Sequence, residues 1–481
     1  MSRREKNFIR PLLTVALLVA TIAPVRAQTS SPLDPMRMRG TVIDHIACQS
    51  DASQSYALYL PSAYSPERRW PIIYAFDPFA RGKVPVELYK GAAEKYGYIV
   101  VGSNNAKNGP SNLEMEAAQA VWLDTHRLFA IDKDRVYTTG LSGAGRFATA
   151  FALYCYTCSI AGVISHGAGL PIRQQLPAND HFLYYVAVGD ADFNYPEILE
   201  LRRKKDEQGS AFKVKIYPGP HQWAPADVVE DAVEWLELKT MQAGKEEPDP
   251  AFVDRMFDKV QGEATKAKQS GDADAQYYAL RSLVFDFKGL KDVSRAGIEL
   301  AALGKSKELK KARRVEKDEI EKQRLLTQDT VADITGIGMV SPDQMSILKE
   351  RIISSFLDLR HHAKSTGRDH LIYVRAINQL WIHGIETGQE QFRANNFPQA
   401  AAYFELMAEV APDQSWPLLL LAETRVREGN KKAALAALQD AVKRGVKSPD
   451  TLTRDPELAP LSSEPGFQRL VESLGKSVPA S

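Results

Sequence analysis

Between residues 40 and 242 the chain alternates short β-rich runs with stretches of helical periodicity, and this alternation limits the possible folds most. The runs rich in β-branched and aromatic residues cover 41–47, 55–60, 70–76, 98–102, 135–139, 162–165, 182–188 and 213–217. Amphipathic stretches cover 84–96, 113–129, 143–155, 196–208 and 225–242. Strands that alternate with helices form a largely parallel sheet covered by helices. We therefore expect an α/β domain with about eight strands over residues 40–242.

The rest of the chain has a different composition, as expected for 481 residues that exceed one ordinary core. Residues 243–250 are charged and contain proline, which is typical of a linker. Residues 251–375 are rich in Ala, Leu, Lys and Glu with almost no strand pattern, so we expect a helical region. The basic stretch at 305–324 interleaves acids with its bases, which indicates a solvated helix face.

A 34-residue period appears within residues 376–481. It relates Gly388 to Ala422, Ala400 to Ala434, Met407 to Ala441, and Pro412 to Val446. Small residues at such positions let two antiparallel helices pack closely, and residues 382–449 resemble two tetratricopeptide repeats, although the second copy lacks the proline. Residues 455–474 predict one more amphipathic helix that caps the stack.

The first 27 residues have the pattern of a signal peptide. Basic residues precede a short apolar stretch, and Val25-Arg26-Ala27 resembles a cleavage site. The apolar stretch is shorter than the roughly 20 residues that a membrane span requires. We therefore expect an exported protein, periplasmic or extracellular, without a membrane span in the mature chain.

The charge of the chain argues against a nucleic-acid partner. Removal of residues 1–27 takes away five basic residues and one acidic residue, so the formal charge changes from +1 to −3. Proteins that bind nucleic acid through the phosphate backbone carry a basic surface, and neither value indicates one.

The sequence Gly140-Leu141-Ser142-Gly143-Ala144 follows a predicted strand and precedes a predicted helix. A serine on such a turn is the nucleophile elbow of serine hydrolases, G-x-S-x-G, in which the residues two before and two after the serine must be small. Ala144 replaces the last glycine and adds only one methyl group. We therefore expect Ser142 to be a nucleophile.

Two other interpretations of this stretch are weaker. Residues 143–148 also fit the dinucleotide-binding pattern G-x-G-x-x-G/A, but that pattern follows the first strand of its domain and needs an acidic residue about 20 positions later. Residues 161–169 contain no Asp or Glu. The third interpretation is a glycine turn without chemistry.

An acid and a histidine follow the serine in the order that the elbow requires. Asp190 and Asp192 come after the predicted strand at 182–188, and His221 comes after the strand at 213–217. His221 would take the proton of Ser142 as general base, and a carboxylate would orient the imidazole. His166 follows another strand and could line the cleft, but it precedes the acid and is the weaker base.

These motifs resemble the serine hydrolases of the α/β-hydrolase fold, in particular secreted esterases, polyester depolymerases and dienelactone-hydrolase-like enzymes. The resemblance covers about residues 40–242. It implies Ser142 as nucleophile, His221 as base and Asp192 as acid, because the G-x-x-D motif of the family places its carboxylate three residues after Gly189. Asp190 is the alternative acid.

The resemblance also implies an oxyanion hole, and here the sequence departs from the family. The backbone N–H of Gly143 is the expected second donor. The first must be the N–H of Phe76 or Asp77, because Pro78 has none. A carboxylate beside a developing oxyanion is unfavourable unless Arg81 or a helix start holds it aside. We expect Asp77 to be the N-cap of the next helix.

Three cysteines remain after residue 27, and export would permit a disulfide. Cys155 and Cys158 have redox spacing but lie far from the predicted helix start, so we expect a structural bond, with Cys48 a candidate partner for one of them. No His/Cys cluster has the spacing of a zinc site, and the His361-His362 pair is expected to be exposed.

The sequence thus predicts an exported serine hydrolase that cleaves a small-molecule or polymer ester through an acyl-enzyme, without a metal or organic cofactor. The repeats would bind a protein or cover the cleft. Two alternatives remain: a catalytically impaired scaffold protein that functions through its repeats, or a serine peptidase.

Overall fold

The computed structural model describes residues 35–171, 182–208, 212–367 and 369–476. The expected signal peptide at residues 1–27 lies outside these ranges. Among the described residues, no helix has the length and apolar character needed to cross a membrane.

An eight-stranded sheet forms the centre of the first half, as the sequence predicts. Its strands are β1 (Val42–Ala47), β2 (Ser55–Tyr59), β3 (Trp70–Phe76), β4 (Ile99–Ser103), β5 (Ile131–Leu141), β6 (Ile160–His166), β7 (Leu183–Gly189) and β8 (Phe212–Tyr217). Their order is β1-β2-β4-β3-β5-β6-β7-β8, and only β2 runs antiparallel to its neighbours. The expected α/β architecture is therefore confirmed.

Helices cover both faces of the sheet. They are α1 (Lys83–Tyr96), α2 (Ser111–Leu128), α3 (Gly143–Tyr154), α4 (Tyr195–Gln208) and α5 (Ala226–Gln242). Apolar side chains of α2, α3 and α4 pack on one face, and those of α1 and α5 pack on the other. Central strands such as β3 and β4 are buried along their whole length, which is why they appear in the sequence as continuous apolar runs.

The second half is helical, as expected. Its helices are α6 (Pro250–Ser270), α7 (Ala273–Asp286), α8 (Ser294–Gly304), α9 (Lys307–Gly336), α10 (Pro342–His362), α11 (Asp369–Arg393), α12 (Phe397–Val410), α13 (Trp416–Arg427), α14 (Lys431–Lys443), α15 (Asp450–Thr453) and α16 (Pro465–Lys476). Most of the basic stretch at 305–324 lies in the 30-residue helix α9, where exposed residues alternate with partly buried ones. A short connection joins α5 to α6, where the linker was expected.

Small residues allow close contact between α11 and α12 and between α13 and α14. A Cβ on Gly388 would lie 2.7 Å from the Phe404 ring, and Ala422 and Ala434 are fully buried. These are the positions that the 34-residue period singles out. The contact confirms the packing argument, while membership of the tetratricopeptide family stays a prediction.

The end of the chain differs from the single capping helix expected over residues 455–474. A 3-10 turn spans Pro456–Leu461, and α16 begins at Pro465. Proline has no backbone N–H and fits the first turn of a helix, so Pro465 starts a new helix instead of continuing the old one.

Candidate active site

Ser142 occupies the sharp turn between β5 and α3. Its backbone has φ 56° and ψ −128°, a strained conformation for a residue with a side chain. The Ser142 N–H donates to the carbonyl of His166 (2.9 Å), and the Ser142 carbonyl accepts from Gly145. The turn therefore exposes the side chain at the carboxyl edge of the sheet, as expected for a nucleophile elbow.

Gly140 and Gly145 are the residues that this turn requires to be small. A Cβ on Gly140 would lie 2.3 Å from the carbonyl oxygen of Ala144, and one on Gly145 would lie 2.8 Å from the carbonyl oxygen of Gly140. Ala144 itself is buried in the apolar core between the sheet and its helices. The departure from G-x-S-x-G at residue 144 is thus accommodated by space for one methyl group.

Asp192 and His221 form a hydrogen-bonded pair. Both carboxylate oxygens of Asp192 lie 2.9 Å from Nδ1 of His221. Asp192 is fully buried and also accepts from the Asn194 N–H (2.8 Å). The Phe193 ring packs on the imidazole with the ring centres 4.3 Å apart. This arrangement leaves Nε2 of His221 as the nitrogen available to a partner.

The alternative acid, Asp190, has a different contact. Its Oδ1 accepts from the Gly219 N–H (3.0 Å) and so ties together the two loops that follow β7 and β8. The structure thus brings Asp192, and not Asp190, to the histidine.

Gly167 is a residue of the site that the sequence did not single out. Its φ is 56°, and a Cβ there would lie 2.5 Å from Oδ2 of Asp192 and 3.0 Å from Nδ1 of His221. Its carbonyl accepts from the Asn194 side chain (2.7 Å). Only glycine leaves room for the acid and the histidine at this point.

Ser142 and His221 face the same cavity of about 1520 Å³, although no hydrogen bond joins them in the described part of the chain. The cavity is bounded on one side by loops at the carboxyl edge of the sheet and on the other by the helical region. Six aromatic side chains contribute to its wall: Phe79, Phe193, Trp223, Phe356, Trp381 and Trp416. A neighbouring cavity of about 920 Å³ also reaches Ser142.

The expected oxyanion segment lies beside the turn. Phe76 pairs with Gly140 between β3 and β5, and Gly143 is the first residue of α3, where backbone N–H groups have no partner within the helix. These positions place the expected donors Phe76, Asp77 and Gly143 near Ser142 in the fold.

Asp77 does not cap a helix, so that expectation is wrong. Helix α1 starts at Lys83, after Gly82. The buried carboxylate of Asp77 instead accepts from Arg81 (2.8 and 3.0 Å), from the Phe79 N–H and from the Trp223 indole (3.0 Å). The Asp-Pro sequence forms a tight turn, and Arg81 holds the negative charge aside.

His166 does not line the cleft. Its side chain is fully buried, Nε2 contacts the Tyr89 hydroxyl (2.9 Å), and Trp223 packs on the ring. Burial lowers the pKa of His166 to about 3, so the ring is neutral at ordinary pH. Its backbone carbonyl still contributes to the site by accepting from the Ser142 N–H.

The helical region contacts the loop that carries the acid. The guanidinium of Arg375 donates to the Asp190 carbonyl (2.7 Å) and to Oε1 of Gln323 (2.9 Å), and the Gln323 amide reaches the Phe193 carbonyl (3.5 Å). Arg375 and Gln323 are both almost fully buried. These contacts span up to 185 residues, which is why sequence patterns did not reveal them.

Glu386 of α11 lines both cavities beside Ser142. Burial raises its pKa, and the nearby Arg146 opposes this effect. Arg146 itself pairs with Glu197 (2.6 Å) and donates to the Leu170 carbonyl. The helical region thus places an ionisable group close to the candidate nucleophile.

The cysteines form a different bond from the one considered. Cys155 bonds to Cys158 just after the end of α3, and Cys48 is a free, buried thiol whose pKa burial raises to about 12. A link from Cys48 to either of the others is therefore excluded. Among the described residues no group of three His, Cys, Asp or Glu side chains could hold a metal ion.

No protein-family model matches the sequence, and no curated protein matches it either. Solved structures do resemble it. The S-formylglutathione hydrolase of Staphylococcus aureus is 14% identical over 38% of this chain and 90% of its own, with a TM-score of 0.32. A fluorophosphonate-binding serine hydrolase of Staphylococcus aureus is 13% identical over 41% of this chain and 98% of its own (TM-score 0.32).

A feruloyl esterase module of Clostridium thermocellum, complexed with sinapinate, is 14% identical over 41% of this chain and 87% of its own (TM-score 0.33). The fold class itself follows from the strand order and the serine turn described above. The chain combines an eight-stranded, mostly parallel sheet covered by helices with a largely helical C-terminal region, as the sequence predicts.

Proposed function

We propose that this protein is a serine hydrolase that cleaves carboxylic esters, with Ser142 as nucleophile, His221 as general base and Asp192 as the acid that orients it. The observation that carries the proposal is the buried carboxylate of Asp192 bonded to Nδ1 of His221, in the same cavity as the strained Ser142. A carboxylate on Nδ1 fixes the tautomer that leaves Nε2 free to accept a proton.

In this mechanism the Ser142 hydroxyl attacks the ester carbonyl while its proton passes to Nε2 of His221. The tetrahedral intermediate collapses when His221 returns the proton to the leaving alcohol, and an acyl-serine remains. Water then attacks the acyl group with the same assistance, which releases the acid and restores the serine. The N–H of Gly143 and of Phe76 or Asp77 would stabilise the negative oxygen.

We further propose that the helical region covers the cleft. Its helix α11 contributes Trp381 and Glu386 to the cavity wall, and Trp416 of α13 packs against Phe79 with the ring centres 5.6 Å apart. A cleft bounded by both regions would restrict the esters that reach Ser142. The proposed tetratricopeptide-like helices could also bind a protein through their outer surface.

Export is part of the proposal. The N-terminal pattern at residues 1–27 and the bond between Cys155 and Cys158 both support an oxidising compartment. Periplasmic or extracellular location would be tested by fractionation of cells that express the full chain, with Edman sequencing of the mature N-terminus.

The activity is tested with a panel of p-nitrophenyl esters of increasing acyl length, together with feruloyl and polyester substrates. We expect turnover of at least one ester by residues 28–481 and none above background by the Ser142→Ala variant. Hydrolysis of a peptide but of no ester would support the peptidase alternative instead. Absence of both activities would support the scaffold alternative.

A further inference from the structure

Asn108 lies in the loop that follows β4, next to the loop that follows β3. Its backbone N–H donates to the Pro78 carbonyl (3.0 Å), and Phe79 forms an antiparallel bridge with Lys107. These bonds fix the backbone of residue 108 beside the oxyanion segment. The side chain of Asn108 faces both cavities that reach Ser142.

The Asn108 amide lies against Gly143, the expected oxyanion donor. A Cβ built on Gly143 would lie 2.5 Å from Oδ1 and 2.6 Å from Nδ2 of Asn108. Both amide atoms therefore lie close to Gly143, and rotation of the amide about its Cβ–Cγ bond exchanges their positions without moving the backbone. Glycine at residue 143 is what leaves room for this side chain.

The Asn108 amide is not used to hold the loop together. By contrast, the neighbouring asparagines do hold it: Asn104 donates to the Asp44 carbonyl (3.1 Å), and Asn105 accepts from the Ser55 N–H (2.8 Å). The side chain of Asn108 makes no hydrogen bond to any described residue, and it is exposed to the cleft. Its two N–H groups are therefore free to bind a substrate oxygen.

The segment after β3 is short of such donors. Pro78 has no N–H, and the Asp77 carboxylate is balanced by the Arg81 guanidinium and accepts a hydrogen bond from the Trp223 indole. Asparagine side chains serve as oxyanion donors in other enzymes, where they stabilise the charge that develops in the transition state.

We propose that Nδ2 of Asn108 donates a hydrogen bond to the oxyanion formed when Ser142 attacks the substrate, alongside the N–H of Gly143. The proposal rests on the proposed function. It makes Asn108 a catalytic residue whose contact strengthens as the carbonyl oxygen gains charge. No covalent bond changes at Asn108, since the proton stays on its nitrogen throughout.

The test compares Asn108→Ala and Asn108→Asp with the wild type on the best ester of the panel. Asn112→Ala is the matched control, because Asn112 is an exposed asparagine at the start of α2. We expect kcat to fall about 10²- to 10³-fold in both Asn108 variants with KM within a fewfold, as for removal of one oxyanion donor. Asn112→Ala should stay within twofold of wild type.

A second measurement distinguishes a catalytic role of Asn108 from a purely structural one. The inhibition constant of a trifluoromethyl ketone analogue of the same ester should weaken by about the factor lost in kcat/KM, because the analogue forms an oxyanion on Ser142. Thermal unfolding should occur at the wild-type temperature in both variants.

Several results would overturn the proposal. It fails if kcat of Asn108→Ala stays within about threefold of wild type, if only KM changes, or if Asn108→Asp retains wild-type kcat. In each of these cases wild-type turnover and its loss in Ser142→Ala still support the proposed function. If the wild type hydrolyses no ester and reacts with no trifluoromethyl ketone, both proposals are overturned together.

Discussion

Ser142, Asp192 and His221 come from three separate loops, and glycines make room where these loops meet. Gly140 permits the serine turn, Gly167 makes room for the acid and the histidine, and Gly143 borders Asn108. The site is therefore sensitive to single methyl groups at these glycines. Ala144 shows that this sensitivity differs between positions a few residues apart.

The role of Asp192 is tested by comparing two neighbouring carboxylates. Asp192→Asn should lower kcat about 10⁴-fold, because an amide stabilises the wrong imidazole tautomer and does not stabilise the cation. Asp190→Asn should stay within a fewfold, since its Oδ1 can still accept from Gly219. Steady-state kinetics on one ester measures both. Equal losses in the two variants would contradict the assignment.

The close packing of the serine turn is tested by two separate substitutions, one at Gly140 and one at Ala144. Gly140→Ala should destabilise the fold by about 1–3 kcal/mol or more, because the new Cβ overlaps the Ala144 carbonyl. Ala144→Gly should cost only about 1 kcal/mol, for one lost buried methyl group and greater backbone freedom. Urea unfolding followed by fluorescence gives both values. A stable Gly140→Ala variant with full activity would contradict the geometry.

At the scale of elements, local patterns sufficed for most of the sheet. All eight strands and the five helices around them lie within a few residues of the sequence expectation, because buried strands and amphipathic helices differ in period. Candidates for the acid and the base could be proposed because the order of the loops along the chain follows the order of the strands. Asp192 could be preferred to Asp190 only through the family motif.

Two sequence expectations are not met in the structure: the helix start at Asp77 and the position of His166 in the cleft. Asp77-Pro78 looked like a helix start, but the preference of an Asp-Pro pair for a turn prevailed and α1 begins at Lys83. By its position after a strand His166 could line the cleft, but Tyr89 and Trp223 bury it. The contacts of His166 with Tyr89 and Trp223 could not be predicted from spacing, because both partners are distant from it in the sequence.

The hydrogen bond from Arg375 of α11 to the loop that carries Asp190 and Asp192 predicts that the helical region supports the site. Arg375→Met should lower kcat about tenfold or more, because the Asp190 carbonyl loses its donor and the loop that carries Asp192 can shift. Arg375→Lys should recover part of the loss. The exposed Arg295→Met is the control and should remain near wild type. Wild-type kcat in Arg375→Met would show that the loop needs no support from α11.

At the scale of the whole molecule, buried His166 links stability to pH. Its folded pKa is about 3, below the ordinary value of 6.5, so the unfolded chain binds a proton that the folded chain does not. The contribution of neutral His166 to the free energy of unfolding is fully present above pH 6.5. It falls by about 1.4 kcal/mol per pH unit as the pH decreases toward 3.

Urea unfolding at pH 7, 6 and 5 tests this link. The free energy of unfolding of the wild type should fall more steeply with decreasing pH than that of a His166→Gln variant, which has no titrating imidazole. The difference between the two slopes isolates His166 from the carboxylates, which titrate mainly at lower pH. Identical slopes would contradict the buried, neutral histidine.

In the molecule as a whole, one cavity bounded by loops of the sheet and by the helical region contains a candidate nucleophile and an oriented histidine, and the central claim is that Ser142 is activated there. Labelling of residues 28–481 with a fluorophosphonate probe, followed by mass spectrometry of the labelled peptide, tests this claim most directly. We predict a single modification on Ser142, lost in Ser142→Ala and strongly slowed in His221→Ala. Absence of labelling, or labelling that persists in Ser142→Ala, would contradict it.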